Sequence, residues 1–434
     1  MKEPDISILQ RDPSDSPFLF ATGLECSYPV VTGKAGMNER VDELAKTLHY
    51  EHWKTDLDLC KDIGINVLRY GPAYYTVNPR ADKYDWDFCD KVFNRMNKIG
   101  IIPITDLCHF GVPDFVGDFQ NSDFPELFAA YAKAFAKRYE WVTLYTPVNE
   151  ILITANNSAQ IGFWNERLSS DKTFVTALKN CCRACLRAEE EILKVQPRAV
   201  FIESESTECY HPTEPAAIPR TDFLNERRFL ALDLIYGVEV SAMMYEFLMD
   251  NGLTREEYDW FRQHGNALKR YNVMGNDYYV TNEHRVPPGD LDFQPAGRIF
   301  GYYVNTHTYF ERYRMPIMHT ETNQRIDMDP VQWLNEEWPQ VVKLKQDGVP
   351  VIGFTWFSLI DQVDWDSTLR ENNGNVNEFG LYDLKRRPHP ICHAYKRLIE
   401  QWRPILPMQS VGLDVHGVSQ RIKGTRKRSR RKRK

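Results

Sequence analysis

Two isolated carboxylates stand where apolar, β-rich runs stop: Glu150 in Thr146-Pro147-Val148-Asn149-Glu150 and Glu321 in His319-Thr320-Glu321. Paired carboxylates beside aromatic rings are what cleavage of a glycosidic bond requires, one acting on the anomeric carbon and the other moving a proton. Taken alone, an Asn-Glu or Thr-Glu pair more often serves as a solvated turn or a helix cap. Their company reverses that reading. Polar or aromatic groups recur at the ends of the other apolar runs: Glu25, Arg69, His109 with Phe110, Glu205, Asp277 with Tyr279, and Asp361, Asp364 and Trp365.

The elements that must position these groups follow from periodicity. Short β-rich runs span 19–24, 65–70, 101–107, 142–146, 199–204, 273–279, 315–320 and 349–357, and helical patterns lie between them at 56–63, 87–99, 127–139, 174–195, 225–249 and 333–347. Glycine closes several helices just before the next strand, as in Ile63-Gly64-Ile65, Ile99-Gly100-Ile101 and Asp347-Gly348-Val349. Strict alternation predicts a parallel sheet covered by helices, and eight units are the number that closes a TIM barrel. The expected fold class is therefore α/β, a single (β/α)8 barrel over residues 1–410 followed by a short tail over 411–434. The competing doubly wound sheet would carry a glycine-rich phosphate turn after its first strand, and Leu24-Glu25-Cys26-Ser27 is not one. In a barrel the chemistry sits at the carboxyl ends of the strands, which is where the polar groups above fall.

Composition narrows the class further. The 434 residues are 42% hydrophobic and 26% charged, which excludes wholesale disorder. Neither an apolar run long enough for a membrane span nor a secretory leader is visible, and nine cysteines with no framework spacing fit a reducing compartment, so a cytoplasmic protein without disulfides is expected. Cys181, Cys182 and Cys185 lie in one helical pattern with no second ligand pair and read as small buried side chains; neither a metal nor a cofactor is expected. Arg421–Lys434 holds ten basic and no acidic residues; setting those ten apart from the net charge of −6 leaves −16 on residues 1–420. Such a tail is expected to be disordered, with at most weak contact to polyanions, and the acidic body argues against nucleic acid as the principal ligand.

From about Phe18 to Trp402 the sequence resembles glycoside hydrolase family 1, the β-glucosidase family. The segment Asp56–Gly64 leading into Leu68-Arg69-Tyr70 resembles the family's helix and Y-R-F-S strand. Gly100-Ile101-Ile102-Pro103 with Thr105-Asp106-Leu107-Cys108-His109-Phe110 and Val112-Pro113 is similar to G-I-x-P-x-x-T-L-x-H-W-D-x-P. Thr146–Glu150 resembles T-F-N-E-P, Pro316–Glu321 resembles P-I-x-I-T-E-N-G, and Ser358–Trp365 resembles S-L-L-D-N-F-E-W. The resemblance implies Glu150 as general acid/base and Glu321 as nucleophile of a double displacement, with Arg69 beside Glu321, Asn149 on the sugar 2-hydroxyl, and Tyr279 donating to the nucleophile. It also implies a carbohydrate substrate. A transglycosidase shares the same intermediate, and a binding-only barrel is the alternative outside catalysis.

Departures cluster where the family reads the non-reducing sugar. The first-strand glutamine has no counterpart, and Glu25 or Cys26 stands near its place; Phe110 follows His109 where Trp is usual. Asp277 replaces Asn, Phe357 stands where a platform Trp is usual with Trp356 one place earlier, and Asp364 replaces Glu beside Trp365. A pocket redrawn in this way is expected to select something other than plain glucose. Ser367 and Arg370 occur without the rest of the set by which phospho-sugar members bind phosphate.

Overall fold

The computed structural model describes residues 18–404 and 406, apart from 34–35, 290–291 and 325–327; the basic tail at 411–434 lies outside the described residues. Eight parallel strands close a barrel: β1 (Leu19–Gly23), β2 (Val67–Tyr70), β3 (Ile102–Asp106), β4 (Leu144–Thr146), β5 (Val200–Ser206), β6 (Asn272–Asp277), β7 (Ile317–Glu321) and β8 (Val351–Trp356). β1 seals the ring, pairing Leu19 with Gly353 on β8 and Ala21 with Val67 on β2.

One long helix follows each strand: α1 (His49–Asp62), α2 (Asp87–Ile99), α3 (Phe124–Arg138), α4 (Asp171–Val195), α5 (Arg255–Leu268), α6 (Gly301–Tyr313), α7 (Pro330–Gln346) and α8 (Pro390–Trp402). Their starts and stops follow local chemistry. Ser170 caps α4 by accepting from the Thr173 amide, Thr254 and Glu257 form a reciprocal capping box at α5, and Gly100 ends α2 in the left-handed region at φ +76°.

Alternation along each strand divides the core in two. Leu19, Ala21, Val67, Ile102, Ile104, Leu144, Val200, Ile202, Val273, Met318 and Ile352 fill the barrel interior, whereas Phe18, Phe20, Leu68 and Phe354 pack outward against the helices. The inner layer plugs the barrel, so polar groups can gather only at the strands' carboxyl ends.

The expected strands lie within one or two residues of those observed. The helical pattern at 225–249 needs correction: it falls across three short helices, Ile218–Arg227, Leu230–Ile235 and Ala242–Asp250, and Gly237 at φ +61° lies in the second of the two breaks. The helix before β6 is instead α5, whose apolar face packs on α4 and Leu230–Ile235. Among the described residues three small sheets accompany the barrel, Val30–Thr32 with Asn38–Arg40, Cys209–Pro212 with Glu283–Val286 and Gln294–Pro295, and Gln362–Val363 with Val376–Asn377.

Candidate active site

At the carboxyl ends of the strands a cleft of about 1800 Å³ opens, and Glu25, His109, Phe110, Glu150, Tyr279, Glu321 and Trp365 are among the residues lining it. These seven come from the ends of β1, β3, β4, β6, β7 and β8. Barrel closure brings together side chains separated by up to 340 positions in the chain.

Arg69 is the hub. At the end of β2, buried to 1% exposure, it donates to Glu321 Oε1 and Asn149 Oδ1, and to Asp106 Oδ2 at 2.8 Å. Glu321 receives its second hydrogen bond from the Tyr279 hydroxyl, 2.6 Å from Oε2, so both of its oxygens are held. Two donors, one of them cationic, favour the ionised form of that carboxylate. Burial, and then Asp277, Glu150 and Glu25, push the Tyr279 phenol well above its usual range and keep it a donor.

Glu150 has the opposite environment. It opens the short helix Ile151–Ala155 in the left-handed region (φ +38°), pinned by its own amide to the Ser204 carbonyl at 2.9 Å, while the preceding Asn149 amide bonds the Cys108 carbonyl. Among the described residues no group hydrogen-bonds its carboxyl. Burial, and then the negative charges of Asp277, Glu205 and Glu208, push its pKa well above the usual carboxylate range against the opposing effect of Arg69. One carboxylate is thus arranged to stay charged and the other to keep its proton, which is the division of labour that acid-assisted displacement needs.

His109 is oriented from both sides. Its Nδ1 lies 2.6 Å from Asp106 Oδ2, and its Nε2 lies 3.2 Å from Asn149 Nδ2 and 3.7 Å from Glu25 Oε1. A proton on Nδ1 given to Asp106 leaves Nε2 to accept from the Asn149 amide, a single consistent tautomer. Glu25 is fixed by the Ser27 amide and hydroxyl and by Gln362 Nε2 at 3.1 Å.

Four residues expected at the sugar are placed elsewhere. Asp277 lies behind the wall, both of its oxygens accepting from the Ser204 hydroxyl at 2.7–2.8 Å. Trp356 is fully buried with its indole N–H on the Phe379 carbonyl, and Phe357 sits under Arg69, its ring centre 5.7 Å from the guanidinium carbon. Asp364 is turned away to Lys46 Nζ at 2.7 Å and to the Gly374 and Asn375 amides. Burial opposes its ionisation, but Lys46 and the two amides outweigh burial and hold its pKa below the ordinary range. The physical reason is common to all four: each side chain has found an internal partner that satisfies it, and none lines the cleft.

Sequence reasoning passed over Asp106, the carboxylate that joins Arg69 to His109. Its signal was a charge ending the apolar run Ile102-Pro103-Ile104-Thr105. Gln362, Asn323 and Gln324 also line the cleft and carried no signal beyond their place after β8 and β7. Among the described residues two groups have ligand atoms close enough to share an ion, Cys26 with Asp106 and His109, and Cys185 with Glu189 and Glu203. In the first, Arg69 already stands against Asp106; in the second, burial raises Glu203 to about pKa 8, so a proton occupies the carboxylate pair.

The model of Glycosyl hydrolase family 1 matches residues 31–282. The chain is 23% identical over 416 residues to a furostanol glycoside 26-O-beta-glucosidase of Hellenia speciosa, covering 78% of this chain and 71% of the relative. It is 22% identical over 427 residues to a 6-phospho-beta-galactosidase of Staphylococcus aureus, covering 81% and 88%. Among solved structures, a beta-glucosidase from Thermotoga maritima in complex with azafagomine superposes with a TM-score of 0.74 at 18% identity, over 88% of this chain and 98% of that one. At that identity the superposition establishes the shared barrel. No helix among the described residues is long and apolar enough to cross a membrane.

Proposed function

Since the chain belongs to glycosyl hydrolase family 1 and is a glycoside hydrolase acting on O-glycosyl bonds, we propose that it is a retaining β-glycosidase with Glu321 as nucleophile and Glu150 as acid/base. The observation that carries this reading is the contrast between the two carboxylates: Glu321 held by Arg69 and Tyr279, Glu150 unpartnered among negative charges.

In the first step Glu321 attacks the anomeric carbon, the bond to the leaving oxygen breaks, and the Glu150 proton passes to that oxygen. Loss of that proton leaves Glu150 as a carboxylate, able to take a proton from water. The water oxygen then bonds the anomeric carbon and Glu321 departs, so two inversions restore the original configuration. Asn149, braced by Arg69 and His109, would meet the sugar 2-hydroxyl, a contact that strengthens as positive charge develops on the ring. Glu25, His109 and Gln362 would read the remaining hydroxyls. The substrate is accordingly a β-linked carbohydrate.

The test is a panel of aryl β-glycosides (glucose, galactose, fucose, mannose, xylose, glucuronate, N-acetylglucosamine), with Glu321→Gln as the control for contaminating hydrolases. Turnover that is absent in the variant and releases the β-anomer first, read by NMR, is expected. Full activity in Glu321→Gln, or first release of the α-anomer, would overturn the assignment.

A further inference from the structure

Beyond Glu150 the cleft wall changes character. Arg227 and Arg228, at the end of the helix Ile218–Arg227, both line it. Some partly buried arginines of this protein meet carboxylates, Arg312 on Asp233 at 2.6 Å and Arg386 on Asp56 at 2.8 Å, whereas Arg167 donates to Asn38 Oδ1. Among the described residues no carboxylate comes within ion-pair distance of Arg227 or Arg228. Arg227 donates to Asn156 Oδ1 at 3.2 Å and lies over the Phe174 ring at 4.8 Å. Arg228 donates to the Glu208 carbonyl and lies over Phe229 at 4.7 Å, and its buried Nε has no hydrogen-bond partner among the described residues.

Neighbouring negative charge is committed elsewhere. The Glu208 carboxylate takes His284, Ser206 and Asn282, and Asp171 acts on Arg227 only at longer range. A buried guanidinium, Arg228, beside a half-buried one, Arg227, with no counter-ion among the described residues is unfavourable unless a ligand supplies the negative charge. Arginine is also the side chain whose planar fork matches phosphate and carboxylate.

Position tells which part of a ligand would reach them. Asn156 follows the helix that starts at Glu150, and six residues of helical rise place it about 9 Å further out. Glu150 protonates the leaving oxygen, so the wall beyond it receives the leaving group. The open rim of the cleft mixes apolar and acidic groups: Ile161, Phe293 and Val376 are each more than a third exposed, and the exposed carboxylates of Asp171, Asp292, Asp366 and Glu378 also line it, so Arg227 and Arg228 stand out there as a cationic spot.

We infer that Arg227 and Arg228 form an anion-binding subsite for the leaving group, and that the natural substrate carries a phosphate or carboxylate on an apolar aglycone. The inference rests on the glycosidase reading for the word aglycone, but its test does not need turnover. Phenyl phosphate, benzoate and neutral benzyl alcohol are titrated calorimetrically into the full-length protein at neutral pH and low salt. At least one anion is expected to bind ten or more times tighter than benzyl alcohol, the tighter of the two naming phosphate or carboxylate. That preference should fall at least tenfold in Arg227→Gln and in Arg228→Lys, each checked for an unchanged thermal melt; if one variant misfolds, the other decides. Equal binding of all three probes, or a preference untouched in both variants, overturns the subsite. An arginine-dependent preference in a protein that hydrolyses no glycoside would remove the glycosidase reading and leave the anion site.

Discussion

Tyr279→Phe removes one hydroxyl and leaves the ring. The lost contact is the 2.6 Å hydrogen bond to Glu321 Oε2, and Arg69 keeps Oε1. A hydrogen bond to a charged group contributes about 1.5–3 kcal/mol. Charge on Glu321 is partly consumed as it attacks, so loss of the bond alone would slightly favour attack, but the freed carboxylate rotates away from its line of attack, and this loss of orientation is the larger effect. Together these predict a fall in kcat/KM of roughly 10- to 100-fold, equivalent to about 1.4–2.7 kcal/mol. The stability cost should be small, because Glu321 at 5% exposure can turn its released oxygen toward the cleft. Since burial keeps the Tyr279 phenol protonated, the loss should be uniform between pH 5 and 9. The assay is kcat/KM on the best aryl β-glycoside of the panel across that range, with urea midpoints measured alongside. A value within twofold of wild type, or a loss that tracks pH as a titrating phenol would, refutes the placement of Tyr279 on the nucleophile.

Glu150→Ala should spare the first step for substrates with very good leaving groups and be rescued by azide as a β-glycosyl azide; an α-linked product or no rescue would count against the acid/base role. Because burial and then Asp277, Glu205 and Glu208 raise the Glu150 pKa, kcat/KM should decline as pH rises through it, and Asp277→Asn should move that decline to lower pH; a limb that stays in place would show that Asp277 does not act on Glu150. Global stability should fall as pH rises from about 5 to 8: burial raises Glu337 to about 7 and Glu203 to about 8, so the folded chain keeps protons that the unfolded chain releases above the ordinary carboxylate pKa. Urea midpoints that rise over that interval would reverse the sign, and Glu203→Gln should flatten the slope. Deleting Arg421–Lys434 should leave kcat unchanged on the same substrate, and a large loss would place the tail in the active assembly.

The barrel was legible because its signal is local and repeated. Apolar runs of strand length, helical periodicity and closing glycines each depend on neighbours in sequence, and eight repetitions left little freedom for another architecture. The stretch from Asn225 to Met249 failed where that logic fails. Its composition is helical throughout, but the turn at Gly237, whose backbone meets Arg262 and Asn266 of α5, breaks it for reasons that lie in another element. Helix α6 carries a weak signal in the sequence: Gly301–Tyr313 has polar residues along much of its length, and its burial is settled by packing on α7.

For the site, the sequence by itself determined which side chains stand at strand ends, because the strand boundaries and the alternation of faces are local properties. That was enough to bring Glu150, Glu321, Arg69, Asn149, Tyr279 and His109 to one mouth. Only the tertiary structure decided which way each side chain turns once there. Asp364 faces the cleft or Lys46 according to a residue 318 positions away, and Asp277 meets Ser204 of a neighbouring strand instead of open space. Asp106 became the link between Arg69 and His109 because β2 and β3 are adjacent in register, Arg69 beside Ile104 and Tyr70 beside Thr105. Arg227 and Arg228 were invisible as a pair of unmatched charges, since the lack of a counter-ion is a property of everything around a residue and of nothing beside it in the chain. Local sequence sets position along an element; the energy of burying a charge is set by partners that only closure of the barrel supplies.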